Sequence, residues 1–491
     1  MIYNSTRNNN LTANSAEAVL KGIADDGGLF MIKDFSVLNF NYKDVLTLST
    51  MEMSEKILGT LLDDFDAEEM HNMVQKAYSG KFETDELTPT VKVGDRFVTE
   101  LFRGPTSAFK DVALSVLPQL MMGSRKKMGE EKETIILTAT SGDTGKAALE
   151  GFHDVEGVKI IVFYPENGVS AVQKAQMVTQ KGKNVCVCAV KGNFDDAQTG
   201  VKKAFAYFAE NNIENIAFSS ANSINIGRLA PQLVYYFKAY SDLVKNGVIS
   251  IGDKINFVVP TGNFGNILAG YFAKCMGLPI NKLVCASNAN NVLTDFINTG
   301  VYDKRRSFYK TVSPSMDILV SSNLERLLYL LSGGNDKKVA QYMRDLNEKG
   351  FYKVDAELLN KIKETFIAGC CNDSKTLETI EKVYRETGYV CDTHTAVAFN
   401  VSLANNLSGE TVILSTASPY KFPVSVLTAL GETPDMNEFR VMEQLNKKTG
   451  VIIPYNLCGL ENAEVLHTDV IEKEDLINFV KRKAEEKIWN K

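Results

Sequence analysis

From about residue 133 the chain repeats one pattern: a short β-branched and apolar run, a turn rich in Gly, Ser and Asn, then a stretch of helical length with apolar positions on one face. Such runs predict strands, and the longer periodic stretches predict helices. Strands are expected at 134–137, 159–163, 185–190, 216–219, 255–259, 283–286 and 411–414. Strand–helix alternation implies an α/β fold on largely parallel sheets. In such sheets ligands bind beyond the carboxyl ends of the strands. Residues 1 to about 90 lack the alternation and read as mainly helical, with an acidic helix start at 63–69. A second helix-rich stretch runs over 317–386, where Ser322 and Asn323 precede an amphipathic segment as capping residues do. The pattern divides the chain into an N-terminal lobe at 1–92, a core at 93–430 containing a smaller, mobile lobe at about 133–226, and a C-terminal appendage at 431–491.

Composition narrows the partners. Among 491 residues, 54 Lys and Arg stand against 60 Asp and Glu, a net charge of -6. No stretch is basic enough to follow a phosphate backbone, which argues against nucleic acid. The first ten residues have no apolar h-region and no apolar run reaches the length of a membrane span. A cytoplasmic protein acting on a small molecule, as a monomer or homodimer, is expected. The eight cysteines, at 186, 188, 275, 285, 370, 371, 391 and 458, lack the paired spacing of zinc sites and are expected as reduced core residues. No metal is expected.

Several polar runs sit where that fold would place ligand loops. Lys110 follows Gly104, Pro105, Thr106, Ser107, Ala108 and Phe109, so a Gly-Pro turn and an apolar step lead straight to an amine. An amine held against apolar neighbours shifts toward its neutral, nucleophilic form, which makes Lys110 a candidate anchor for pyridoxal phosphate; a solvated lysine after a turn is the alternative. Gly262, Asn263, Phe264, Gly265 and Asn266 lie between the strand at 255–259 and a helix expected at 267–276. Two glycines let the backbone approach an anion at a helix N-terminus, so the run reads as a phosphate cup or as a plain capping turn. It is not the dinucleotide fingerprint.

Thr140, Ser141, Gly142, Asp143 and Thr144 also join a strand to a helix. A P-loop is excluded, because Thr140 and Ala147 stand where that motif needs Gly and Ser or Thr. The remaining hydroxyls and amides suit the carboxylate of an amino acid, or ordinary capping by Ser141, Asp143 or Thr144. Asn222 and Ser223 end another strand six and five residues before Arg228. Together they suit a second phosphate, unless Arg228 is a solvated helix residue. Thr416 ends the last strand. A neutral hydroxyl there would hydrogen-bond a pyridine nitrogen without keeping it protonated, or would only cap the strand. His394 reads as a structural residue opening a helix, and His71, His153 and His467 show no partner pattern.

In this order the runs resemble threonine synthase, a pyridoxal-phosphate family of the tryptophan-synthase-β class (fold type II). The resemblance is carried by Gly-Pro-Thr-x-Ala-Phe-Lys-Asp at 104–111, Leu-Thr-Ala-Thr-Ser-Gly-Asp-Thr-Gly at 137–145, Asn-Ser-Ile-Asn at 222–225, Gly-Asn-Phe-Gly-Asn at 262–266, Thr-Ala-x-Pro at 416–419 and Gly-Gly-Leu-Phe at 27–30. It implies two parallel-sheet lobes with the cofactor between them, plus a helical N-terminal lobe. It implies that Lys110 is the Schiff-base lysine and general base, that Gly262, Asn263, Phe264, Gly265 and Asn266 form the phosphate cup, and that Thr416 meets the ring nitrogen. Asp143 would face the ring oxygen; Thr140, Ser141, Gly142 and Thr144 the substrate carboxylate; Asn222, Ser223 and Arg228 the substrate phosphate. Arg103 and Ser418 depart from the family pattern, which often has His at both places. The implied reaction converts O-phospho-L-homoserine and water to L-threonine and phosphate. A related phospholyase releasing a 2-oxo acid, ammonia and phosphate is the nearest alternative, and a non-catalytic amino-acid-binding regulator a more distant one.

Overall fold

A computed structural model describes residues 1–211, 213–405, 407–486 and 489. Among these, two sheets organise the molecule. The larger has six strands in the order Phe366–Cys370, Ile280–Ser287, Ile255–Pro260, Thr411–Ser415, Arg96–Glu100 and Thr90–Val93, parallel except for the hairpin of the last two. The smaller has five parallel strands in the order Asp469–Glu472, Val185–Lys191, Val158–Pro165, Glu133–Ala139 and Ile216–Ser219. All seven expected strands are present. Val158–Pro165 is buried along its whole length, as an inner parallel strand covered on both faces must be.

The differences from expectation arise where pairing, not local pattern, makes the strand. Phe366–Cys370 lies inside the stretch read as helix-rich; five residues without alternation become the edge of the larger sheet by pairing with Ile280–Ser287. The N-terminal lobe carries the expected helices Thr50–Leu61 and Ala67–Tyr78, but opens with an antiparallel sheet in the order Asn8–Asn14, Ile2–Ser5 and Phe30–Met31. The Asn run there has poor strand propensity. The sheet closes because Tyr3 is buried and its hydroxyl donates to Leu61 O at 2.7 Å. The acidic start resolves into a capping box in which Asp66 and Glu69 each accept the other's backbone N–H.

The segment after 431 does not stand apart. Asp469–Glu472 extends the smaller sheet, and Leu476, Phe479 and Val480 pack into the same core as Cys186, Cys188 and Phe208. Asn456 reaches the lysine loop, accepting from Ser107 Oγ at 2.9 Å and donating to Gly104 O at 3.2 Å. Five of the eight cysteines are buried as expected, but Cys275, Cys370 and Cys458 are exposed; all eight are free thiols. Among the described residues no helix is long and apolar enough to cross a membrane.

Two helices bring the two sheets' loops together. One is Lys110–Met128 and the other Asp143–Phe152. Pro118 inside the first has no N–H, which leaves Leu114 O without its intrahelical donor. Gly151 of the second packs so closely on that carbonyl that a Cβ there would stand 2.0 Å from Leu114 O. The close approach sets the spacing of Lys110 and Asp143, the first residues of the two helices.

Candidate active site

Lys110 is the first residue of its helix, with 12% of its side chain exposed, and its Nζ lies 3.9 Å from Asp143 Oδ2. The loop before it is held in shape by buried Asp111, which accepts from Thr106 N at 2.8 Å and from the Thr106 hydroxyl. Burial pushes the Asp111 carboxyl up to about 6 against those hydrogen bonds. Ser107 adopts φ 60°, a left-handed conformation unusual for a non-glycine residue, and the strain is held by surrounding contacts. The loop is stitched to the end of strand Thr411–Ser415: Phe109 N donates to Thr416 O at 2.9 Å and Ser418 N to Ser107 O at 3.1 Å. Ser418, not Thr416, caps the short turn Pro419–Lys421.

Asp143 is the hub of the site. It is buried, and Oδ1 lies 3.1 Å from Lys421 Nζ and accepts from Gln173 Nε2 at 3.1 Å, while Oδ2 accepts from Ser315 Oγ at 3.4 Å. Burial would raise its pKa, but the positive charge of Lys421 foremost, with Lys110 when protonated and His394, holds it well below the carboxylate range. For Lys110 burial dominates and lowers the pKa; Arg228 and Lys421 lower it further, and Asp143 and Asp111 oppose them. Lys110 is therefore biased toward the neutral amine that nucleophilic chemistry requires.

Of the hydroxyls in the Asp143 loop, Thr140 accepts from Gly142 N at 3.0 Å and Gly145 N at 2.8 Å, which shapes the loop. Ser141 and Thr144 are half-buried and neither caps the helix. Gly142, at φ 134°, must be glycine: a Cβ would stand 2.4 Å from the Gln173 amide.

The helix Gly265–Cys275 starts from Phe264 at φ 62°, with no side-chain cap. Helices elsewhere, such as Ala171–Val178 and Phe194–Glu210, carry full capping boxes. Uncapped N–H groups at a helix start attract an anion. Asn266 reinforces this, because Oδ1 accepts from Tyr235 and Tyr236 hydroxyls at 2.7 and 3.0 Å while its buried Nδ2 has no partner. Asn263 is exposed, its carbonyl gripped by Asn323.

Arg228 is buried, and among the described residues no carboxylate pairs with it. Nη1 donates to Ala221 O at 2.7 Å, Nε has no partner, and burial lowers its pKa to about 10. Its charge acts on the Lys110 amine, and burial leaves it in a poor state for a cation unless an anion joins it. Asn222 and Ser223 are half-buried on the loop before it.

The family model described as "Threonine synthase N terminus" matches residues 2–78, and that described as "Pyridoxal-phosphate dependent enzyme" matches residues 91–357. A threonine synthase of Pseudomonas aeruginosa is 37% identical over 88% of this chain and 92% of its own length. The chain belongs to the threonine synthase family. A solved structure of a pyridoxal-phosphate-bound threonine synthase from Brucella melitensis superimposes with a TM-score of 0.87 at 34% identity, covering 99% of this chain and 100% of that one. Human threonine synthase-like 1 is 39% identical over 86% of this chain, which spans 58% of that relative's length. The two parallel-sheet lobes are the fold-type II arrangement of this pyridoxal-phosphate-dependent family.

The residues present fit the family's cofactor. A buried orphan donor on Asn266, an uncapped helix start, and a glycine at 262 whose Cβ would stand 3.0 Å from Ser315 O are features that could hold a phosphate. Lys421, Gln173, Ser315 and the Asp392–His394 pair were not legible as site residues. His394 Nδ1 donates to Asp392 Oδ2 at 2.8 Å and Nε2 accepts from Ser315 N at 3.1 Å, so the structural role expected for His394 is to hold Ser315 against Asp143. The other histidines have partners their local runs did not reveal: His71 with Glu55, His153 with Glu150 O and His467 with Gln180 O. Arg103 is in ion pairs with Glu100 and Glu83.

Proposed function

We propose that this protein converts O-phospho-L-homoserine and water to L-threonine and phosphate. The observation that carries the reading is Arg228: a buried guanidinium whose Nε has no partner and which pairs with no carboxylate among the described residues, on a different loop from the glycine cup and acting on Lys110. One cup and one unpaired cation supply two anion sites beside one amine, as a phosphorylated amino acid and a phosphorylated cofactor require. Gly262, Asn263, Phe264, Gly265 and Asn266 would hold the cofactor phosphate, Lys110 its reactive carbon, Asp143 the side of its ring oxygen and Thr416 its ring nitrogen. Pyridoxal phosphate, when bound, withdraws electrons from the substrate carbons next to the amine.

The chain's own residues do the rest. Lys110, displaced by the substrate amine, takes the proton from the α carbon, gives it up within the site, then takes the proton from the β carbon and returns a proton to the γ carbon after phosphate has left; its lowered pKa suits these transfers. Arg228, Asn222 and Ser223 hold the phosphate as it leaves the γ carbon. Ser141, Gly142 and Thr144 receive the carboxylate at a helix start, and Thr140 keeps that loop in shape. Lys421 and Ser315 hold Asp143 and so tie the loops of the two sheets together beside Lys110, an arrangement that would limit water until it is added at the β carbon. The reading includes a cytoplasmic location, supported by the eight free thiols, and a monomeric or homodimeric state that sedimentation would test.

Two measurements test it. Borohydride should fix pyridoxal phosphate onto Lys110, and an adduct on another lysine would overturn the anchor. Incubation with O-phosphohomoserine should yield threonine and phosphate in equal amounts; 2-oxo acid and ammonia in place of threonine would identify the phospholyase reaction.

A further inference from the structure

The molecule holds a fully buried arginine that the chemistry above does not use. Arg326, on the helix Leu324–Leu331, donates to Phe30 O at 3.0 Å, Asn323 Oδ1 at 2.6 Å and Ile224 O. Asn323 is also fully buried, and although it sits at the helix start its side chain does not cap the helix. Its Nδ2 donates instead to Asn263 O at 3.1 Å and to Ser223 O at 3.2 Å, and its backbone N–H donates to Asn263 O at 3.1 Å. One amide nitrogen thus joins the glycine cup to the Asn222–Arg228 loop. Arg326 orients that amide by binding its oxygen, and holds Ile224, the residue after Ser223. The helix is in turn pinned to the N-terminal sheet, because Glu325 accepts from Arg7 Nε at 2.8 Å and Nη2 at 2.7 Å.

We propose that Asn323, oriented by Arg326, sets the separation of the two anion-binding loops and so selects phosphorylated amino acids by chain length, favouring a γ-phosphate over a β-phosphate. The proposal rests on the reading that Asn222, Ser223 and Arg228 hold the substrate phosphate. A substrate anchored at one loop and reacting over the other must have a length that matches the span, and a chain one methylene shorter leaves its phosphate short of Arg228. The shared donor makes the span stiff, because moving either loop breaks a hydrogen bond to the buried Asn323 amide, whose donor then lacks that partner. Neither residue touches substrate; both are positioning residues.

The test uses Asn323→Asp, which keeps the size but puts an acceptor where two carbonyls need a donor, Asn323→Gln, which keeps the donor but lengthens the bridge, and Arg326→Lys, which loses the fork. Dissociation constants for O-phosphohomoserine and O-phosphoserine are measured by calorimetry on cofactor-loaded protein also carrying Lys110→Ala, so that turnover does not intrude. Cofactor retention and thermal midpoints are measured alongside. The preference for O-phosphohomoserine should fall by about tenfold, the scale of one methylene in a fitted site, while cofactor retention holds. Folded variants with an unchanged preference, whatever their midpoints, overturn the proposal; where a single variant folds, its preference decides. Arg228→Ala in the same assay separates the two ideas. Unchanged O-phosphohomoserine affinity there removes the reading of that loop and the proposal with it, whereas loss at Arg228 with unchanged preference at Asn323 removes the clamp alone.

Discussion

Lys421 Nζ and Asp143 Oδ1 stand 3.1 Å apart, and the lysine has no exposed surface. Its ammonium also donates to Thr106 O at 3.3 Å and to Gln176 Oε1, so one buried cation ties the loop before Lys110 to both helices of the smaller lobe that face it. By sharing Asp143, Lys421 weakens that carboxylate's pull on Lys110, whose Nζ stands at the longer distance of 3.9 Å.

Replacing Lys421 by Met therefore raises the pKa of Lys110. The groups acting on that amine are Asp143, Arg228, Lys421 and Asp111, and Asp143 also faces His394. Removing Lys421 deletes a repulsion and frees an attraction, and both favour the ammonium. Capture of pyridoxal phosphate by the apoprotein, followed against pH, should have its midpoint below 10.5 in the wild type and higher in the variant. A midpoint that stays or falls would show that Lys421 only fastens loops. The variant should also lose about 3–5 kcal/mol of stability, the usual effect of breaking a buried pair. In the wild-type apoprotein the folded state binds fewer protons at Lys110 than the unfolded chain, so this lysine's contribution to stability grows as pH rises toward 10.5.

Gly151→Ala probes the packing beneath the site. Its Cβ would stand 2.0 Å from a backbone oxygen that cannot rotate away, so the two helices must separate. The expected loss is about 1–3 kcal/mol, read by thermal melting, with slower turnover as Lys110 and Asp143 move apart. An unchanged melting point would mean that the helices are not in this contact in solution.

Arg228→Ala should leave cofactor binding intact and weaken use of the phosphorylated substrate by about 1.5–3 kcal/mol, the value of a charge-assisted contact. Spectroscopic titration with pyridoxal phosphate and steady-state kinetics separate the two effects. Lost cofactor with normal substrate handling would exchange the two phosphate assignments.

Thr416→Asp should alter the choice of reaction more than binding. Phe109 N bonds the backbone carbonyl of residue 416, so the substitution leaves that link in place. A carboxylate beside the cofactor's ring nitrogen favours its protonated form and deepens electron withdrawal from the substrate. At matched cofactor occupancy, 2-oxobutyrate should grow as a share of product while threonine falls. Uniform slowing at a constant product ratio would make Thr416 a structural residue.

By itself the sequence determined seven parallel strands across the two sheets and the positions of the lysine, glycine-rich and Arg228 loops at strand ends. Each depends on neighbouring residues: an apolar run between turns, or glycines at a helix start that must admit an anion. The N-terminal sheet and strand Phe366–Cys370 were hidden because their hydrogen bonds are supplied by partners elsewhere in the chain. The same holds for the second layer of the site. Lys421, Ser315, Asn323 and Asn456 are common residue types that read as surface or capping positions, and Lys421 meets Gln176 across 245 residues. Only the tertiary structure decided that these side chains are removed from water, and a buried charge or amide must take whatever partner the fold brings to it.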